Sequence, residues 1–204
     1  MNYRQKQKIK DSLFKFVGLC ATFFGLLVLA YFFIDIIIEG AKRIDYDFLT
    51  SFTSRRAENS GIFPAWVGSL WVLVLTILFA IPIGIGAGIY FEEYAKKNKL
   101  TYILEVNIAN LAGVPSIIYG LLGLEIFGRM LGFGGSLLTG SLTLSLLILP
   151  IIIVATRESL KAVPNSLRDA SFALGATKWQ TIWFQVLPSS MGGILTGAIL
   201  ALSR

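Results

Sequence analysis

Residues 137–155 read LLTGSLTLSLLILPIIIVA, without one charged side chain. A hydrocarbon core about 30 Å thick takes roughly 20 apolar residues in helix to cross, so this stretch is long enough to span a bilayer. Inside hydrocarbon every backbone N–H and C=O must be satisfied by the protein itself, which leaves helices and closed barrels. The residues show no period-two alternation, and that excludes an outer-membrane barrel. Pro150 would break a soluble helix but is tolerated among packed membrane helices. Working outward, four more apolar runs appear, at about 13–38, 63–91, 102–127 and 189–204. The pattern predicts an all-α, polytopic transmembrane helix bundle with five visible spans.

Composition agrees. Of 204 residues, 55% are hydrophobic and only 15% charged, against about 25% charged in an ordinary soluble domain. The formal charge of +6 comes from basic residues flanking the apolar runs, so the partner it implies is the lipid bilayer and not nucleic acid. There is no His, and Cys20 is the single Cys. No disulfide framework, zinc site or Cys–His nucleophile can be built from that inventory, and Cys20 reads as a small packing residue. Residues 1–12 form a cytoplasmic tail bearing Arg4, Lys6, Lys8 and Lys10. The apolar run behind it is longer than the roughly 7–15 residues of a signal-peptide core, so it reads as an uncleaved first span, with Asp35 and Glu39 at its interface.

The second run carries Trp66 and Trp71 at its start and Tyr90 and Tyr94 near its end, as interfacial aromatic belts require. Its Pro82, Gly84, Gly86 and Gly88 suit close helix approach. The third contains Glu105, Asn107, Asn110 and Ser116, which either line a pathway or hydrogen-bond between helices, the latter being preferred. Gly113 and Pro115 are placed to break that span locally. With the N-terminus inside, twelve basic residues fall on the cytoplasmic side and five on the other, in line with the positive-inside bias. The fifth run, from Ser189 to Arg204, extends only about 22 Å at 1.5 Å per residue, which leads to the expectation that a sixth span is missing.

Residues 157–188 then lie in the cytoplasm, and within them VPNSLRDASFALGATKWQTIWFQVLP (163–188) is the informative stretch. Ser166 with Asp169 resembles a capping box, starting a helix from Leu167 to Leu174 that Gly175 ends in a left-handed conformation. Thr177 with Gln180 forms a second box, starting a helix expected to stop before Pro188. Two short helices meeting at a glycine make an elbow. Leu167, Ala170, Ser171 and Leu174 share one side of it, facing either a partner's groove or the inner lipid surface.

This elbow resembles the EAA loop of ABC importer permeases, a Glu-Ala-Ala triplet followed by a glycine, then nine residues and an Ile-x-Leu-Pro ending. The triplet stands here as Asp169-Ala170-Ser171, the glycine is Gly175 and the ending is Gln185-Val186-Leu187-Pro188, with Gln185 departing from the pattern. Residues 113–123 (GVPSIIYGLLG) and 149–164 (LPIIIVATRESLKAVP) are similar to the phosphate permeases of the Pst type, and the loop from Phe48-Leu49-Thr50 to Gly61-Ile62 to their PstA rather than PstC subunits. Leu202-Ser203-Arg204 matches the start of that family's Ser-Arg-x-x-Gly-Glu-Thr motif.

The resemblance implies a MetI-like permease fold and a function: import of inorganic phosphate across a bacterial cytoplasmic membrane. Asp169, Ala170, Ser171, Gly175, Leu187 and Pro188 would then contact a separate ATPase. The implied partners are a dimer of ATP-binding subunits, a second permease subunit of PstC type and an extracytoplasmic phosphate-binding protein. ATP-Mg would be bound by the ATPase, since this sequence has no G-x-x-x-x-G-K-[ST] loop. For an anion pathway the candidates are Arg204, Arg157, Asn110 and Ser116, because guanidinium binds phosphate in a bidentate fork. Arg204 has an alternative as the salt-bridge partner of Glu105 or Glu125, and Arg157 as an inner-surface anchor.

Two other classes compete. A membrane enzyme needs a nucleophile–base set or metal ligands; adjacent Glu92 and Glu93 point apart on a helix and are expected to lack a partner. An assembly factor would explain the spans but not the elbow. Within the transporters, sulfate and molybdate remain alternative cargoes.

Overall fold

A computed structural model of the chain describes residues 3–203; Arg204, and with it the pathway role expected of that residue, lies outside them. Every regular element among the described residues is helical, as the apolar runs predicted. The first unit holds residues 1–66 and the second residues 67–204.

In the first unit α1 runs from Tyr3 to Ala41, joining the polar leader and the first apolar run in one helix. Its large apolar side chains from Leu13 to Ile38 are exposed, which suits a helix whose solvent is lipid. Cys20 is exposed too, so it is not the packing residue the sequence suggested. The polar loop that follows is ordered. Asp45 caps the short α2 (Tyr46–Thr50), accepting from the Phe48 N–H at 2.7 Å. The amides of Gly61 and Ile62 donate to the carbonyls of Phe52 and Phe48 at 3.0 and 2.9 Å, and Trp66 Nε1 donates to the Leu49 carbonyl at 3.0 Å. A Cβ on Gly61 would overlap the Ser51 carbonyl, so this fold-back requires glycine.

The second unit is built around α6 (Leu137–Lys161). Helix α3 (Phe63–Ile89) lies parallel to it, pairing Thr76 with Ser141 and Ser145, Gly84 with Ile152, and Gly88 with Thr156. Helix α9 (Leu187–Leu202) lies antiparallel, pairing Gly193 with Ser159 and Gly197 with Ala155. Both neighbours thus present a small-xxx-small ridge to α6, the arrangement that lets backbones approach without a hydrophobic drive from water. The apolar centre of the packing is Ala80, Leu147, Ile148, Ile152 and Ala201, with Ile152 only 1% exposed.

The third apolar run is not one straight helix. Helix α4 (Lys99–Leu111) and α5 (Ser116–Gly123, continued by a π-helical stretch Leu124–Met130) meet at a bend of 102°. Pro115, with φ −56° and ψ 137°, stands extended at the break and has no N–H to donate. The Gly113 and Pro115 signal therefore marked a real interruption.

Near the other end, α8 (Lys178–Thr181) passes through a π-helical turn (Ile182–Val186) into α9 without a break. The expected stop before Pro188 does not occur. The proline sits at the start of α9, where the wide turn relieves the clash between its ring and the preceding carbonyls. The resulting helix, Lys178–Leu202, has 25 residues and is long and apolar enough to cross a membrane, so counting only the apolar residues from Ser189 understated its length.

Candidate functional site

The elbow lies between the ends of α6 and α8. Pro164 (ψ 140°) turns the chain extended, and α7 begins at Asn165 and ends at Ala173. The capping box expected from Ser166 and Asp169 is absent: the N-cap is Pro164, which has no side-chain acceptor, and Ser166 already lies inside the first turn. Gly175 has φ +83°, the left-handed geometry predicted for it, which costs other L-residues roughly 1–2 kcal/mol. Thr177 and Gln180 form the second capping box as expected. Across the corner the hydroxyls of Ser171 and Thr181 share a hydrogen bond at 2.9 Å.

The outer crest is apolar and open. Leu174 is 89% exposed, and Leu167, Phe172, Trp179, Trp183 and Phe184 are exposed beside or below it. Asp169 and Ala170 face outward as well. Ser171 is turned inward by its bond to Thr181, and Leu187 and Pro188 belong to the start of α9 rather than to the crest. Trp179 and Trp183 stack with ring centroids 5.3 Å apart and planes 10° from parallel.

Beneath the crest lie charges whose pairing the sequence did not reveal. Helix α3 ends in a π-helical turn, Tyr90–Tyr94. Glu92 and Glu93 do point apart, but neither lacks a partner. Arg168 donates to Glu93 at 2.7 Å, to the Leu160 and Val163 carbonyls at 2.9 and 3.3 Å, and to Asn165 at 3.2 Å. Lys178 donates to the Glu93 carbonyl and places its cation 5.0 Å from the Tyr94 ring centroid. Arg157 pairs with Glu105 at 3.0 Å and Glu92 at 3.8 Å. The side chains of Glu92, Glu93, Glu105, Arg157 and Arg168 are 11–27% exposed, buried enough that losing one partner strands the other.

Arg157 is therefore neither a free anion ligand nor a simple surface anchor. Two carboxylates share its charge, while Lys97, Lys99 and Lys161 line the space beside it. The triad walls an open cavity of about 610 Å³ bounded by the end of α3, the start of α4 and the end of α6. Glu105 is taken by Arg157 and Glu125 by Arg129 at 2.9 Å. Asn107 donates to the Ile103 carbonyl of its own helix at 2.7 Å, so it does not bridge helices. Asn110 and Ser116 flank the α4–α5 break with exposed side chains.

A family model described as "Binding-protein-dependent transport system inner membrane component" matches residues 80–204, more than half of the chain. The chain belongs to that family. It is a membrane-embedded permease component of an ABC-type importer, a transport subunit and not an enzyme. Importer permeases of this family work with ATP-hydrolysing and substrate-binding partners. The permease is 35% identical over its full length to the probable ABC transporter permease protein YqgI of Bacillus subtilis, covering 68% of that protein. It is 31% identical over 97% of its length to the phosphate transport system permease protein PstA of Pasteurella multocida, covering 70%. With PstA of Yersinia pestis it shares 34% identity over 98% of its length, covering 67%.

Proposed function

We propose that this permease is a PstA-type subunit that moves inorganic phosphate across the bacterial cytoplasmic membrane, driven by a separate ATPase. The observation that carries the coupling half is the exposed apolar crest of α7 and its following turn, held beside the left-handed Gly175. It has the form of a short helix offered to a groove. On this reading Asp169, Ala170 and Gly175 meet the ATP-binding subunits, which come as a dimer and hold ATP-Mg. Ser171, Leu187 and Pro188 keep the elbow's shape. A second permease of PstC type would complete the channel, and an extracytoplasmic phosphate-binding protein would deliver the anion.

Orientation follows from charge: the elbow, the loop after α3 and the N-terminal tail lie in the cytoplasm, where twelve of the basic residues fall. The paired ends of α3 and α6 support this, since Glu92 and Glu93 meet Arg157 and Arg168 on one side of the second unit. The phosphate assignment rests on the PstA relatives and on the stretches at 113–123 and 149–164. The polar lining would come from Asn110 and Ser116 at the α4–α5 break, with Arg204 as the cationic group.

The test is uptake into membrane vesicles carrying the complete importer, with sulfate and molybdate as competitors. ATP-dependent uptake blocked by excess phosphate alone is the expected result. Uptake of another oxyanion would keep the coupling and replace the cargo, and no ATP-dependent uptake would overturn the reading.

A further inference from the structure

Covalent continuity ties the elbow to only two transmembrane helices. It follows α6 through Val163 and Pro164, and α8 runs directly into α9. Helix α3 has no such link, yet its final turn is where the elbow's polar bonds converge. Glu93 takes Arg168 of α7 through its side chain and Lys178 of α8 through its carbonyl, while Glu92 reaches back to Arg157 of α6, which also holds Glu105 of α4. Helix α7 buries no residue of its own. Its position beside α3 is therefore set by these bonds, with the small cluster of Leu160, Val163 and Val186 below it.

We propose that Glu93 is a positioning residue that makes the elbow and the end of α3 move as one body. A push on the elbow then enters the bundle through α3, and through the Glu92–Arg157–Glu105 group through α4, instead of through α6 and α9 alone. This rests on the coupling reading above and adds to it the route by which the force reaches helices the elbow does not continue. A packed, hydrogen-bonded contact can carry motion only if it survives the stroke, so the Glu93–Arg168 bond is kept in both states.

The experiment uses the complete importer in lipid nanodiscs, with Cys20→Ser and spin labels at Lys96→Cys and Ser166→Cys, two exposed positions on either side of the clamp. The label-to-label distance is compared without nucleotide and in an ATP-trapped state. The expected result is one distance in both states, and a distance that shifts or broadens between states once Glu93→Ala is added. Phosphate imported per ATP hydrolysed falls about tenfold in that variant, while the ATPase still co-purifies. Arg168→Gln cuts that bond from the other side, along with the Arg168 bonds to Leu160, Val163 and Asn165, and its label distance is read in the same way if Glu93→Ala does not assemble. An unchanged distance in both variants, or unchanged import per ATP, overturns the proposal. If the parent complex imports nothing with ATP, the function reading has failed, and the distances still decide whether elbow and α3 are clamped.

Discussion

At the scale of single residues, the elbow depends on Gly175 and on a few charges. Gly175→Pro fixes φ near −65° where the chain needs +83°, so uptake is expected to vanish while the protein still inserts and purifies with its membrane. A bulky residue at Ala170, such as Ala170→Phe, fills the outward face beside Asp169 and is expected to do the same. Normal uptake by either variant, with the ATPase still co-purifying, would show that the elbow does not dock. Arg157→Gln leaves Glu92 and Glu105 without their cation and is expected to lower stability by about 3 kcal/mol, read as a drop in the melting temperature of the detergent-solubilised importer. Gly175 and the Thr177–Gln180 box were legible because their physics is local: a backbone angle and two hydrogen bonds within one turn. Glu93 and Arg168 are 75 positions apart, and no spacing rule connects them. The only trace was complementary charge, EE in one loop and an arginine in the other.

At the scale of elements, the packing on α6 separates glycines that look alike in sequence. A Cβ on Gly88 would come 2.6 Å from Thr156 Cβ, and one on Gly84 2.6 Å from Ile152, whereas around Gly86 nothing lies within 4 Å. Gly88→Ala is therefore expected to destabilise by about 1–3 kcal/mol, and Gly86→Ala to be neutral or to stabilise slightly through helix propensity. Equal melting temperatures for the two variants would remove the close-packing account. Sequence reading found the helices because hydrophobic length is a direct consequence of bilayer thickness. Their breaks were harder. Pro115 stops a helix, while Pro82 and Pro150 lie inside helices and Pro188 follows a π-helical turn at Ile182–Val186 into α9, outcomes that nothing in the residue types announces. The false box at Ser166 has its own cause, since Pro164 had already begun the helix two residues earlier.

At the scale of the whole molecule, the crest should bind where the clamp only transmits. Phe172→Asp with Leu174→Asp places two charges on the most open part of the elbow, and co-purification of the ATPase is expected to fall by about tenfold or more. Retained binding would move the docking surface elsewhere. The Trp179–Trp183 stack adds something practical. Two of the four tryptophans of this chain stand together on the elbow, so a protein with Trp66 and Trp71 replaced by phenylalanine carries its own fluorophore at the site. Their emission would turn bluer when a partner covers them, giving an optical record of docking in real time without any attached dye.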